Sequence, residues 1–304
     1  MVTSMKSTVF LALAVVLGGV PLACAIGHPL PGASNQGSAM PSAAASTPVA
    51  QGSSPTTPAP TVEPAAASPS PIGVADHVTV TEETVRFVRD KGDALGRREA
   101  IVKYPKISGV ADPALQEKVQ AAIGLQQAFG KSVEEMRAEF QDYAWLNELG
   151  YTVNYNQNSI LDITYSGWGT GAYPSGFERY LAVNLKTGTV IYAHHLFKTE
   201  ALGQVARLVD QAMQAEIQKK MAEVKQAYGE EIDLKIYAAH QFRVKDLNHF
   251  TITDRGILFH YEFGFPHVLK AAEPQDSYLL SYEQLKPYIR PNGVLTAMLP
   301  NLSP

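Results

Sequence analysis

Apolar and polar residues alternate along His77–Val88 (HVTVTEETVRFV), and β-branched types dominate, so the pattern predicts a strand. Arg98–Ile107 (REAIVKYPKI) has the same character and predicts an antiparallel partner across the Gly92–Gly96 turn. The period then lengthens. Asp112-Pro113 predicts a helix start, with an acid at the N-cap and proline at the first helical position, where its missing N–H costs nothing. Leu115, Val119, Ala122 and Ile123 supply the buried stripe. Ser132 and Glu135 have capping-box spacing and open a second helix carrying Val133, Met136, Phe140 and Tyr143.

After Gly150 the pattern returns to strands: Tyr151–Asn156, Ser159–Ser166 and Phe177–Leu185, then a Lys186-Thr187-Gly188 turn into Thr189–Tyr192. Leu202, Val205, Val209, Met213, Ile217, Met221 and Val224 recur every three or four residues and predict a long helix with this stripe against a core. Thr251-Ile252, Ile257–Phe263 and Tyr278–Leu280 read as strands, and Ser281 or Tyr282 to Ile289 as a short helix stopped by Pro291 and Gly293. Hairpins with segregated helices predict an α+β fold of antiparallel sheets.

Composition divides the chain before this region. Between Lys6 and Asp76 the only charged side chain is Glu63, no aromatic residue stands between Phe10 and Phe87, and ten of the 20 prolines fall between Pro29 and Pro71. Residues 26–75 are therefore expected to form a disordered Pro/Ala/Ser/Thr-rich tether, too poor in apolar surface to offset the entropy of ordering. About fifty such residues reach about 100 Å or more when mostly extended. Residues 1–25 read as a signal peptide: Lys6, the apolar run Val9–Leu17, then Gly18, Gly19 and Pro21 before small residues at a cleavage site. The only cysteine, Cys24, lies at that site. Two outcomes fit: lipidation of Cys24 as the first mature residue, or ordinary cleavage after Ala25. The expected organisation is a signal peptide (1–25), a tether (26–75) and a folded α+β domain (76–304), with two lobes, 76–150 and 151–291, as a further option. The expected location is outside the cytoplasm, as a membrane-anchored lipoprotein facing the periplasm or the cell exterior.

The net charge of −4 is small and evenly mixed, which argues against nucleic acid as a partner. One cysteine excludes an intramolecular disulfide framework and a cysteine-based zinc cluster. Gly167 to Gly176 has GxGxG spacing but leads into a strand rather than a helix, so it lacks the helix N-terminus that a dinucleotide phosphate needs. The expected use of its glycines is a hairpin connection with positive φ. Trp168, Tyr173 and Phe177 within this stretch are candidates for an aromatic platform, and Phe265 and His267 for further contacts; the alternative uses, which the sequence favours, are core packing and loop anchoring for the first three and a packed corner for Phe263–His267. His260 and Glu262, two apart on an expected strand, share a face, but no third ligand joins them convincingly. His194 and His195, on an expected extended chain, would point to opposite faces. No cofactor and no metal is implied, and no nucleophile elbow is present.

Several strings in order resemble a known domain: Tyr104-Pro105-Lys106-Ile107-Ser108-Gly109, Asn158–Ser166 with the following Gly167–Pro174 loop, Val183–Gly188, His195-Leu196-Phe197, Phe259–His267 and Ser281–Tyr288. Over about Arg98–Ile289 this set resembles the RsiV/PdaC-type extracellular domain of unknown function. The resemblance implies an α+β extracytoplasmic domain and, from the lysozyme-sensing branch, a surface that binds a lysozyme-like protein. Where the family loop usually reads Gly-Gly-Ala-His-Pro, this chain has Tyr173-Pro174 after Gly171-Ala172, so no role of that histidine carries over. Neither sigma-factor control nor deacetylation is expected, because only eight residues precede the apolar leader and the chain ends at Pro304. The leading expectation is a non-enzymatic envelope lipoprotein, held at the membrane by its lipid, whose domain binds a lysozyme-like protein or peptidoglycan. The alternatives are a cell-wall hydrolase or esterase using His260, Glu262 or His267, and a purely structural envelope lipoprotein.

Overall fold

In the computed structural model the alternating segments pair as expected: β1 (Thr79–Val88) and β2 (Glu99–Ser108) are antiparallel, with Val85 opposite Val102. The structure describes residues 76–91, 96, 99–229 and 233–299. The signal peptide, the tether and Cys24 lie outside the described residues. Helices α1 (Pro113–Ile123), α2 (Leu125–Phe129) and α3 (Val133–Asp142) follow β2. The local signals for α1 and α3 act as anticipated. Asp112 accepts from the Ala114 N–H at 2.9 Å, and Ser132 and Glu135 cap each other's backbone at 3.2 and 2.7 Å.

These helices cross back over the sheet, so β3 (Leu146–Gln157) returns parallel to β2, with Val102 opposite Leu149. The large sheet is therefore mixed rather than purely antiparallel, because a connection long enough to hold helices lets the chain re-enter from the same end. A two-residue turn then joins β3 to β4 (Ile160–Thr170); Asn158 and Ser159 both have positive φ, 53° and 60°, which matches the twist of a tight hairpin. Strand β5 (Pro174–Asn184) pairs along the whole of β4, and β6 (Thr189–Val190) closes the order β1-β2-β3-β4-β5-β6. The lobe boundary considered at Gly150 falls inside β3, a strand this sheet uses at its centre. All described residues belong to one compact unit.

Apolar cores lie against both faces of the six-stranded sheet. Leu161, Ile163 and Tyr165 of β4 join Phe87, Val119, Ile123 and Phe140 in the first, and the Tyr165 hydroxyl donates to the Ile123 carbonyl at 2.8 Å. Ile160 and Ala182 join the second, which also holds the long helix. After α4 (Ala193–Leu196), helix α5 (Leu202–Tyr228) buries Val205, Val209, Met213, Ile217 and Val224, most of the anticipated stripe. It packs with a three-stranded antiparallel sheet, β7 (Phe250–Ile252), β8 (Gly256–His260) and β9 (Ser277–Ser281), in that order. Helix α6 (Tyr282–Leu285) is shorter than expected, and Pro287 lacks the N–H that would continue it.

Candidate functional site

Strand β6 pairs with β5 only at Val183 and Asn184. From Gly176 to Leu181 the outer edge of β5 instead borders a cleft of about 670 Å³. The opposite wall comes from His249, His260, Tyr261, Glu262 and Phe263 around the end of β8, with Lys270, Glu273, Asp276 and Tyr192 completing the rim. The hairpin pairing of β4 with β5 thus sets one wall, and the small sheet's packing on the same face sets the other.

His260 anchors the two walls together. Its ring stacks on Tyr180 of β5, with centroids 3.9 Å apart and planes 7° apart, and its Nε2 lies 2.9 Å from the Thr251 Oγ1. Burial, helped by the neighbouring His249, pushes the imidazole down to about 4, so it stays neutral. The Tyr180 hydroxyl donates to the Glu178 carboxylate, and burial first, then that carboxylate, raises its pKa above the usual tyrosine value. Lys270 is engaged by Glu273 at 2.7 Å, and Glu273 also accepts from the Phe265 N–H at 3.1 Å. Arg179 turns its guanidinium back to the Glu178 carbonyl at 2.7 Å. Four carboxylates (Glu178, Glu262, Glu273, Asp276) therefore face two cations. Among the described residues no cation pairs with Glu262 or Asp276 within ion-pair distance.

The anticipated aromatic platform is divided by the sheet. Phe177 sits opposite Gly167 in register, while Trp168 is opposite Gly176, so the two rings leave opposite faces. Phe177 is half-buried against Phe129 and Trp145 at 5.6 and 5.8 Å. Trp168 is exposed on the other face (47%). Tyr173, also exposed, stacks on His267 with centroids 4.8 Å apart, so these two do come together at the hairpin tip. Phe265 is only 4% exposed and packs edge-on against Tyr237 at 5.3 Å; its ring belongs to the core and is not offered as a contact.

The glycines have a different job from the one expected. Gly167 and Gly169 lie within β4 and are not among the positive-φ residues. They are needed for close approach. A Cβ at Gly167 would stand 2.5 Å from the Phe177 Cζ, and one at Gly169 2.5 Å from the Trp145 Cδ2. His194 and His195 also differ from expectation: they lie on the helical turn α4, which brings their rings to 3.9 Å instead of sending them to opposite faces.

One polar residue escaped notice in the sequence. Asp162 is fully buried between the two sheets; its Oδ1 accepts from the Asn154 amide at 2.8 Å and its Oδ2 from the Ile252 N–H of β7 at 2.9 Å. Asn154 reaches on to the Thr164 Oγ1 at 2.8 Å. Burial pushes the Asp162 carboxyl up to about 8, against the opposing pull of these two donors. The only sequence signal was an acid in a run of buried positions, Ile160–Tyr165. Period-2 alternation assigns it to the second face without saying what covers that face.

No protein-family model and no curated protein matches this chain. Among solved structures, a member of the DUF3298 family from Bacteroides fragilis is similar with a TM-score of 0.50 and 16% identity, over 73% of this chain and 97% of that one. A DUF3298 family protein from Pseudomonas aeruginosa aligns over 72% of this chain and 98% of its own length, at 11% identity and a TM-score of 0.46. At this low identity the likeness is one of fold: the described chain has the architecture of DUF3298 family proteins, which include the RsiV/PdaC-like domain.

Proposed function

We propose that this protein is a non-catalytic binding module of the cell envelope, presented outside the cytoplasm by its leader and tether, and that the cleft beside β5 takes a cationic protein partner. The observation that carries this reading is the imbalance of charge in the cleft: Glu262 and Asp276 add to two further carboxylates and, among the described residues, have no cation within ion-pair distance. A low-dielectric cleft of one sign concentrates ligands of the other sign. The resemblance to a lysozyme-binding domain points the same way, since lysozyme is strongly basic. A wall glycan carrying peptide carboxylates has the wrong sign for this cleft. A hydrolase centred on His260 has less support, because Thr251 and Tyr180 engage that ring and its depressed pKa makes it a weak base.

Calorimetric titration of the purified chain with hen lysozyme, at low and high salt, tests the proposal. Binding that weakens with salt, and that falls about tenfold in Glu262→Gln/Asp276→Asn, is the expected result. Retention of the chain by peptidoglycan sacculi with no lysozyme binding would overturn it in favour of the glycan. The anchor is tested separately by mass spectrometry of the mature N-terminus. Acyl chains on Cys24 are expected, and an unmodified N-terminus at Ile26 would show cleavage after Ala25 instead.

A further inference from the structure

The backbone register determines which groups of β5 look into the cleft. The Leu185 N–H donates to the Ser159 carbonyl at 2.8 Å, so odd-numbered residues of β5 bond to β4. Consistently, the Ala182 carbonyl accepts from the Ile191 N–H at 2.7 Å on the other side. By the same alternation Gly176, Glu178 and Tyr180 turn their N–H and C=O groups outward, along the cleft. No strand pairs with them among the described residues. An open strand edge of this kind is a ready template for another chain, and proteins usually guard it with charge. Here Arg179 provides the guard, with its Nη1 occupying the Glu178 carbonyl at 2.7 Å.

We propose that the cleft binds its partner by strand addition: an extended polypeptide segment with basic side chains at alternate positions pairs with the Gly176–Tyr180 edge of β5, displacing Arg179. Backbone hydrogen bonds supply the register, and Glu178, Glu262 and Asp276 receive the basic side chains. The same charges disfavour a second copy of this chain, since two β5 edges would bring like carboxylates together. The tether is disfavoured by its chemistry, because residues 26–75 carry no lysine or arginine to meet these carboxylates. This inference rests on the reading of the cleft as a site for a cationic protein and adds the mode of recognition.

The test uses a peptide of about six residues alternating lysine and valine, together with the same peptide N-methylated on the amides of one edge. Binding to the full chain is measured by titration, and amide hydrogen exchange is followed at residues 176–180. The unmodified peptide should bind and slow exchange at Glu178 and Tyr180, and N-methylation should weaken it at least tenfold. Arg179→Ala, which frees the Glu178 carbonyl and removes one of the cleft's two cations, should tighten the unmodified peptide about three- to tenfold and the methylated one by clearly less. Equal binding of both peptides, without protection of these amides, overturns strand addition and leaves the charge reading standing. If neither the peptides nor lysozyme binds, both readings fall. Dimerisation of Arg179→Ala without peptide would replace the basic segment by a second copy and also overturn the proposal.

Discussion

Asp162→Ala is expected to lose roughly 3–5 kcal/mol of unfolding free energy, because it leaves the buried Ile252 N–H without an acceptor, takes from the Asn154 amide one of its two and opens a small void. For a domain of this size that loss moves the midpoint of thermal unfolding down by about 10 °C. Its effect on pH dependence is more diagnostic. The folded pKa of Asp162, about 8, lies above its ordinary value of 3.8, so the folded state keeps a proton that the unfolded chain releases. This group's contribution is fully present below pH 3.8 and is lost as pH rises through 8, at about 1.4 kcal/mol per unit.

His260 acts in the opposite sense. Its folded pKa, about 4, lies below the ordinary 6.5, so its contribution is present above 6.5 and is lost as pH falls to 4. Between pH 4 and 6.5 these two slopes offset each other and the lowered pKa of His195 adds a rise, whereas that of Asp162 alone remains from 6.5 to 8. Urea titrations across this range should therefore give no loss of stability up to pH 6.5 and then a fall of about 2 kcal/mol. In Asp162→Asn the fall disappears, and stability instead rises from pH 4 to 6.5. In His260→Phe, which keeps a ring against Tyr180, stability declines from pH 4 onward. A wild-type stability that climbs between pH 6.5 and 8, or an unchanged profile in Asp162→Asn, would show that burial does not hold the proton on Asp162.

Gly169→Ala carries the other large effect. Its new Cβ would overlap both the carbonyl and the indole of Trp145, and backbone cannot be pushed aside as a flexible side-chain end can. The cost is expected at about 3 kcal/mol or more. In a Trp168→Phe background Trp145 is the only indole, so its emission should shift to the red as it is driven from its seat beside Phe177. Gly171→Ala, where the nearest atom is the Tyr143 hydroxyl at 3.6 Å, should stay within about 0.5 kcal/mol of the parent. Equal stability of the two variants would show that close approach does not explain Gly169.

Much of the fold was legible because its signals are local. A cap at Asp112, a capping box at Ser132 and Glu135, and a stripe from Val205 to Val224 each act within a few turns of chain, so sequence spacing reports them directly. The candidate site was much less legible. Trp168 and Phe177 looked like one aromatic platform because they are close in sequence, but pairing parity sends them to opposite faces. His194 and His195 were assigned to opposite sides on the assumption of an extended chain, and one helical turn reversed that. Phe265 carries no mark in its own neighbourhood of the Tyr237 ring that buries it.

From the amino-acid order alone came the α+β class, most of the elements, and the change of composition near Asp76, since each depends on the intrinsic preferences of short segments or on summed polarity. Only the tertiary structure decided that β2 and β3 run parallel, that the second face of β4 is covered so that Asp162 loses its water, and that β5 keeps an open edge beside an acidic cleft. These features depend on which surfaces meet across tens of residues. Such meetings are settled by the shared burial of two apolar faces, and no window of sequence contains both partners at once.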